Sequence, residues 1–229
     1  MRARPAKPWS LVIATCWVIG SGATSVLGQQ DQAEPGRPGW SLDSNDGCRI
    51  WNAEPKAAQE VTWKGPCKDG IAGGRGELEW RWNGKTSRYV GTLVDGRRQG
   101  HGVFTFANGD RYTGQWLQDR FHGRGTLEWV NRDRYEGDFR EGAITGRGVW
   151  TSANGDRYEG EFLNGRRQGQ GEMTQRDGDS YEGSWRNDRP DGTGDGRVDG
   201  KRLLGTWKDG CFRDTGQIAA WGRPVKECR

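Results

Sequence analysis

The stretch YVGTLVDGRRQGHGVFTFANGDR, residues 89–111, sets the pattern for most of this chain. The same 23-residue frame begins again at Tyr112, Tyr135, Tyr158 and Tyr181. Gly stands at its third, twelfth and fourteenth places, and a large apolar residue stands at its fifth place. A fixed period of this length is typical of stacked units that bury a face only against their neighbours. The sequence therefore predicts a repeat protein.

The composition argues against a conventional globular core. The 229 residues include 39 Gly and 13 Trp, and the mean hydropathy is −1.00. Leu, Ile, Val and Phe are scarce, which would indicate disorder if the net charge were high. The net charge is only +4, and Trp and Tyr bury large areas with few residues. We therefore expect a thin sheet with one aromatic and glycine-rich face.

Each frame contains two short stretches with the alternation typical of β-strands. The first begins at the Tyr, as in YEGEF (158–162), and the second follows the paired glycines, as in GVFTF (102–106). Frequent Gly disfavours helices, since each interior Gly costs about 1 kcal/mol. The predicted fold class is all-β, an elongated and twisted antiparallel sheet of stacked β-hairpins.

The apolar places also predict the loop that joins one frame to the next. All of them share one face only if this loop has an odd number of residues, because a one-residue shift inverts every side chain. The loop 107–109 should therefore have three residues, with Gly109 in the left-handed conformation. Arg132 occupies the same place in the second frame. The expected cross-strand pairs are Phe104–Tyr112, Leu127–Tyr135, Trp150–Tyr158 and Met173–Tyr181.

Residues 1–28 are expected to be a cleaved secretory signal. Basic residues precede the apolar stretch LVIATCWVIG (11–20), which is too short to cross a bilayer comfortably. Cleavage is expected between Gly28 and Gln29, and cleavage after Ala23 is the competing choice. The mature protein would then be periplasmic or extracellular.

Two other fates of this segment stay open, an uncleaved anchor and lipoprotein processing at Cys16. Loss of the basic residues Arg2, Arg4 and Lys7 lowers the net charge from +4 to +1. The mature surface is therefore balanced, and we expect no nucleic-acid partner.

Four cysteines remain after the signal, which is an even number and indicates disulfides in an exported protein. They are Cys48, Cys67, Cys211 and Cys228. Three connectivities exist, and pairing within each end is expected because long-range pairing would require the ends of an elongated body to meet. Each local bridge closes a loop of roughly 20 residues and stabilises by about 3 kcal/mol. A four-cysteine zinc site is the rival interpretation, although no CxxC spacing is present.

The frame and the cysteines together predict the organisation of the chain. A flexible lead-in (29–47) and an N-terminal cap (48–62) precede the repeats, and a C-terminal cap (211–229) follows them. The repeat array (63–210) contains frames that begin at 63, 89, 112, 135, 158 and 181, and a partial frame at 203.

The segments NGDRYEG (154–160) and YEGEFLNGRRQGQGE (158–172) resemble the MORN repeat, the membrane occupation and recognition nexus. The resemblance covers about Trp63 to Gly210, and the flanks GCRIWN, VTWKGPCKDG and DGCFRD look like those of bacterial secreted members. It implies an elongated, twisted sheet of hairpins. It also implies roles in protein assembly, in dimerisation and in binding of acidic phospholipids.

The arginines at the ninth and tenth places are the candidate binding residues. They are expected on the loop between the two strands, where stacking would align them along one edge. This edge could contact phosphate headgroups or an acidic partner. The alternative is a charged edge that keeps the protein soluble, and Ala143 and Ile144 interrupt the series. The candidates are Arg97, Arg98, Arg120, Arg166, Arg167 and Arg189.

No arrangement of residues in the sequence indicates catalysis. His101 and His122 have no consistent carboxylate or cysteine partner, and the glycines precede no helix that could bind phosphate. We therefore expect no enzymatic activity, no cofactor and no metal site. The aromatic face could stack on sugars, although most of its rings are expected to cover glycines.

The sequence therefore predicts a non-enzymatic, exported repeat scaffold in a cell envelope. Its partner would be another protein or a second copy of the chain. Peripheral binding of anionic phospholipid through the arginine edge is the alternative function.

Overall fold

A computed structural model of the chain describes residues 36–214 and 216–228. The predicted signal, residues 1–28, lies outside the described residues, as do residues 29–35 of the predicted lead-in. No described segment forms a helix that is long and apolar enough to cross a membrane.

The described residues contain nineteen strands and one 3₁₀ helix, Val225–Cys228. In chain order the strands are β1 (Gly39–Leu42), β2 (Arg49–Asn52), β3 (Glu60–Lys64), β4 (Cys67–Lys68), β5 (Ile71–Ala72), β6 (Gly74–Trp82), β7 (Lys85–Val94), β8 (Arg97–Thr105), β9 (Arg111–Leu117), β10 (Arg120–Glu128), β11 (Arg134–Arg140), β12 (Ala143–Thr151), β13 (Arg157–Leu163), β14 (Arg166–Thr174), β15 (Ser180–Arg186), β16 (Arg189–Val198), β17 (Lys201–Lys208), β18 (Cys211–Asp214) and β19 (Gln217–Ala220).

Within the described ranges, fifteen strands form one antiparallel sheet that follows the chain from β3 through β6 to β19. Strands β1, β2, β5 and β4 form a separate small sheet in that order. The large sheet contains five consecutive two-stranded units, which we number first to fifth from their tyrosines Tyr89, Tyr112, Tyr135, Tyr158 and Tyr181. The predicted all-β fold of stacked hairpins is confirmed.

The register of the sheet agrees with the predicted three-residue loops. Phe106 N–H donates to the carbonyl of Asp110 at 2.8 Å, so that residues 107–109 form the loop. Gly109 has a φ of +94°, in the left-handed region. All four expected cross-strand pairs are present, from Phe104–Tyr112 to Met173–Tyr181. We call the edge of the sheet formed by these loops the loop edge.

The opposite edge, which we call the turn edge, differs from the prediction. The second strand of the first unit begins at Arg97, directly after the two-residue turn Asp95–Gly96, and not after the paired glycines. Both turn residues have positive φ, as in the turns that match the twist of antiparallel strands. Gly100 also has positive φ, and the register shifts between Gly91 and Thr92. A β-bulge therefore absorbs the glycine-rich stretch within one continuous strand.

The repeated glycines make room for the tyrosine rings. A methyl carbon at Gly91 or Gly102 would collide with the ring of Tyr89, and every later unit repeats this contact. All five rings are fully buried, and each hydroxyl donates to the carbonyl three residues ahead, as Tyr112 does to Gln115 at 2.8 Å. A single-layered sheet thereby buries large side chains against bare backbone.

Two series of hydrogen bonds join neighbouring units. At the loop edge, Asp110 Oδ1 accepts from Val130 N–H at 2.8 Å, and the same bond recurs one and two units later and again at Asp179. At the turn edge, Gly142 N–H donates to the carbonyl of Phe121 at 2.9 Å, a contact that also recurs. Both edges of each unit are therefore fixed to the next unit.

The two ends of the large sheet are capped and carry disulfides. Cys48 pairs with Cys67, and Cys211 pairs with Cys228, with Cα–Cα distances of 6.1 and 5.4 Å. This is the local connectivity expected from the sequence. At the C-terminal end, Trp221 N–H donates to the carbonyl of Gly210 at 2.7 Å and continues the turn-edge series.

The second half of the predicted lead-in, residues 29–47, contains a strand that pairs with the N-terminal cap. Gly39–Leu42 forms β1 and pairs with β2. Asp43 is buried, and its Oδ1 accepts from Trp63 N–H at 2.8 Å on the outer side of β3. A polar residue orders this segment because it satisfies an edge strand that would otherwise be unpaired.

Candidate functional site

The candidate arginines do not form one column on a loop. They occupy the first two positions of the second strand of each unit, where successive side chains point to opposite faces. The two tenth-place residues, Arg98 and Arg167, lie on the aromatic face. The four ninth-place residues lie on the opposite, polar face: Arg97, Arg120, Arg166 and Arg189.

Arg98 is held between two units by an aspartate and a tryptophan. Its Nε donates to Asp119 Oδ1 at 2.9 Å, and its backbone N–H donates to the same oxygen at 3.0 Å. The guanidinium lies 4.4 Å from the ring centroid of Trp116. The Arg98 and Asp119 side chains are 15% and 7% exposed, so this ion pair is largely shielded from water.

The same arrangement recurs at the junction of the fourth and fifth units. Arg167 Nε donates to Asp188 Oδ1 at 3.3 Å, and its guanidinium lies 4.7 Å from the centroid of Trp185. The Asp188 side chain is more open, at 47% exposure. We call the arginine, aspartate and tryptophan at each of these two junctions a clasp.

The two junctions between the clasps are apolar. Phe121 and Ile144 replace the arginines, Phe139 and Phe162 replace the tryptophans, and glycines replace the aspartates. Phe121 stacks on Tyr112 with centroids 3.8 Å apart. Within the described ranges, no guanidinium lies over the rings of Phe121, Phe139 or Phe162.

Several large side chains are therefore only partly covered in the middle of the aromatic face. Trp129 and Trp150 contact no other aromatic ring among the described residues, and neither indole N–H has a protein acceptor there. We call this group the central apolar face, which consists of Phe121, Leu127, Trp129, Ile144 and Trp150.

On the polar face, the ninth-place arginines are paired with exposed aliphatic side chains along the turn edge. Arg97 lies opposite Val94, Arg120 lies opposite Leu117, and Arg166 lies opposite Leu163. These aliphatic residues are 42 to 54% exposed. At the third unit Ala143 faces Arg140, so the cation there comes from the neighbouring strand. We call these residues, together with Arg186 and Arg189, the turn-edge row.

Not every cation of this row is free. The guanidinium of Arg97 lies 4.0 Å from the ring of Trp51 in the N-terminal cap. Arg120 is 3.9 Å from Glu141, and Arg189 is 2.5 Å from Asp209. Arg140 and Arg166 have no acidic partner in the described part of the chain.

Burial changes the acidity of the five tyrosines that build the aromatic face. It raises the pKa of Tyr89 and of Tyr181 to about 12. It also raises the pKa of Tyr112, Tyr135 and Tyr158, and by more. The neutral phenol is therefore the form that the fold requires.

The described residues contain no cluster of His, Cys, Asp and Glu that could hold a metal ion. His101 and His122 both lie beside Gln115 on the polar face and have no ion-pair partner in the described ranges.

The family model of the MORN repeat matches residues 89–111, 112–134, 135–157, 158–180 and 181–194. These are the five units of the large sheet. Residues 89–194 are five consecutive MORN repeats. The predicted resemblance is thereby confirmed for this part of the chain. No curated protein shows significant sequence similarity to the chain.

MORN repeats generally act as modules that bind proteins or membranes, and they form non-catalytic scaffolds. The MORN array of this chain has two surfaces suited to such binding, the central apolar face and the turn-edge row. The clasps were missed in the sequence, although a signal was present. The string RRQG occurs only in the first and fourth repeats, and Trp and Asp stand at the fifth and eighth places of the repeats that follow.

Proposed function

We propose that this protein is a non-enzymatic, exported scaffold that binds a partner protein, or a second copy of itself, in the cell envelope. The observation that carries the proposal is the central apolar face. It lies in the middle of the array, where two half-buried indoles have neither ring neighbours nor hydrogen-bond acceptors among the described residues. Tryptophan at the centre of a surface is typical of residues that dominate binding energy.

The rest of the array supports a role as a rigid support for this face. The interunit hydrogen bonds fix both edges, and the clasps close the junctions on either side. A rigid face loses little conformational entropy when it binds. The two disulfides suit an oxidising location outside the cytoplasm.

The proposal is tested by affinity capture from envelope extract with the wild-type protein and two variants. Trp150→Ala should lose the captured partner. Trp82→Ala is the matched control, because Trp82 is another partly buried tryptophan without ring neighbours but lies near the N-terminal end. Circular dichroism establishes that both variants are folded.

The same samples test self-association by light scattering. A wild-type oligomer that becomes monomeric in Trp150→Ala would identify a second copy as the partner. A strictly monomeric wild-type protein that captures nothing would contradict the proposal, as would a set of captured proteins that Trp150→Ala leaves unchanged.

The turn-edge row favours a second candidate, peripheral binding to anionic phospholipid. Exposed Leu117 and Leu163 would enter the headgroup region while the neighbouring Arg120 and Arg166 contact phosphates. Co-sedimentation with anionic vesicles should then fall at high salt, because surface charges are screened. It should also fall in Leu163→Ser/Arg166→Ser. Absence of pelleting with anionic vesicles at low salt would remove this candidate.

A further inference from the structure

We propose that the loop edge of the central repeats docks an acidic segment of the partner protein through Arg132 and Arg176. This inference rests on the scaffold function proposed above and specifies the chemistry of the partner.

The first observation is a strained backbone position. The third residue of the loop has φ between +94° and +101° at Gly109, Gly155 and Gly178, where glycine carries no steric cost. The second repeat has Arg132 at this place, with a φ of +71°. The loop otherwise keeps its geometry, since Arg132 N–H donates to the carbonyl of Trp129 at 2.8 Å. An arginine is thus held at the place where the other three loops have glycine.

The second observation is that these cations are unused. The side chains of Arg132 and Arg176 are exposed, and neither has an acidic, aromatic or hydrogen-bonding partner within the described residues. Most other arginines of the array are paired, as in the clasps. Two unneutralised guanidinium groups therefore lie on the loop edge and complement negative charge.

The third observation is the apolar surface that accompanies them. Val130 is 68% exposed and stands in the same loop as Arg132. Trp129 lies directly before this loop. Arg176 packs its stem near Gly155, so the small residues of the 153–155 loop separate the two arginines. Val130 lies on the side of Arg132 that faces Gly109, away from Arg176. Each repeat occupies about 10 Å along the sheet, so an extended segment with two acidic side chains, and with an apolar side chain beyond the one that meets Arg132, matches this surface.

The charges around this surface favour an acidic partner segment over a basic one. The acidic residues at the loop edge of the central repeats are already engaged, since Asp133 and Asp156 accept backbone N–H groups from the following loops. Asp177 adjoins Arg176 in the fourth loop, and its Oδ1 accepts from Asp179 N–H at 3.1 Å. A basic segment would therefore meet repulsion from Arg132 and Arg176, whereas an acidic one would not.

Random dodecapeptides displayed on phage provide the probe. Selection on the intact protein should enrich peptides with two or more Asp or Glu residues and with an aliphatic or aromatic residue beyond one of them. Synthetic copies of these peptides, labelled with a fluorophore, should bind Arg132→Gly and Arg176→Ala about tenfold more weakly than the wild type. Arg75→Ala is the matched control, because Arg75 is also exposed and has no ion-pair partner among the described residues but lies in β6, at the N-terminal end of the large sheet.

Arg132→Gly separates recognition from folding. A side chain with only a structural role would leave binding unchanged when it is replaced by the residue that the loop favours. We expect this variant to melt at the wild-type temperature or above it while its affinity falls. Unchanged affinity in Arg132→Gly, or an equal loss in Arg75→Ala, would overturn the inference.

Two further outcomes distinguish this inference from the scaffold proposal. Selection that yields no peptide, or only basic ones, overturns the inference, while partner capture that depends on Trp150 leaves the scaffold function standing. Binding of anionic vesicles that is lost in Arg132→Gly would assign the loop edge to lipid and would likewise overturn it.

Discussion

The clasped junctions and the central junctions of the MORN array solve the same packing problem with different chemistry. Both bring the tenth place of one repeat against the fifth place of the next. In the clasps this contact is a guanidinium over an indole, with an aspartate behind it. In the centre it is Phe121 against Phe139, with centroids 5.8 Å apart, and the next junction has Ile144 and Phe162 at the same places. Both central turns have a glycine.

The difference shows that three positions change together. The clasp aspartates stand at φ of +67° and +69°, where the other turns have glycine. That backbone cost is offset only if an arginine forms an ion pair with the carboxylate. Burial of the arginine is in turn stable only if the carboxylate and the indole are both present. The consequence for function is spatial, because the clasps cover the aromatic face at both ends and leave its centre accessible.

The largest expected effect is alkaline unfolding, which should separate the central repeats from the outer ones. Each tyrosine pKa is raised above its usual value of about 10, so its stabilisation is complete below pH 10 and is lost as pH rises through the folded-state pKa. For each tyrosine, the decrease in the free energy of unfolding approaches about 1.4 kcal/mol per pH unit. Urea unfolding at stepped pH should show stability falling steeply from about pH 10 to 12.

The ultraviolet absorbance of phenolate provides the comparison between regions. Tyr89 and Tyr181 should ionise near pH 12, before the three central tyrosines. Tyr89→Phe should remove part of the earlier rise in phenolate absorbance, and Tyr135→Phe part of the later rise, so the two variants identify the outer and the central tyrosines. Ionisation of all five near pH 10 in the folded protein would contradict the burial argument.

Breaking one clasp should cost more than breaking the other. Asp119→Gly leaves Arg98 unpaired in a largely buried site and should lower the free energy of unfolding by about 3 kcal/mol. Asp188→Gly should cost about 1 kcal/mol, because Asp188 is half exposed and water replaces it. Chemical denaturation measures both values, and equal costs would show that burial does not govern the clasps.

Converting a clasp to the central type should restore most of this loss. In Arg98→Phe/Asp119→Gly the first junction acquires the apolar contact and the glycine turn of the second junction. We expect its unfolding free energy to lie within about 1 kcal/mol of wild type, since a buried ion pair is often replaceable by well-packed apolar groups. A double-mutant cycle measures the coupling. Additive losses would mean that the three positions are independent.

The smallest effect concerns the loop edge. Arg132→Gly should raise the free energy of unfolding by about 1 kcal/mol, because glycine adopts the left-handed conformation without strain. Gly155→Arg, the reciprocal change in the next repeat, should lower it by a similar amount. Thermal melting of both variants measures these changes in stability. A lower melting temperature for Arg132→Gly would show that the backbone of Arg132 is not strained.

Much of the fold could be predicted from the sequence because its cause is local. The period places a Tyr and two glycines at constant spacing, and the parity of the apolar places requires an odd loop. The pairing of Leu127 with Tyr135 follows from these facts alone. The start of the second strand at Arg97 could not be predicted in the same way, since the β-bulge at Gly100 depends on the partner strand.

The candidate site was less predictable, because strand alternation divides residues that are adjacent in sequence. Arg97 and Arg98 were expected on one edge, and they lie on opposite faces. Arg140 fills the gap that Ala143 leaves in the turn-edge row, but it comes from the other strand of the hairpin. Both facts depend on knowing where the strand begins.

The sequence by itself determined the repeat, the face of the sheet that carries its rings, the loop register and the family. These features follow from the 23-residue period and from the glycines at constant spacing from each tyrosine, over which the tyrosine ring packs. Only the tertiary structure decided which cations are engaged and which are free, because burial and partners are set by neighbouring repeats. The same residue type is enclosed at Arg98, covered by the cap at Arg97 and unpaired at Arg132, and no local pattern distinguishes these three environments.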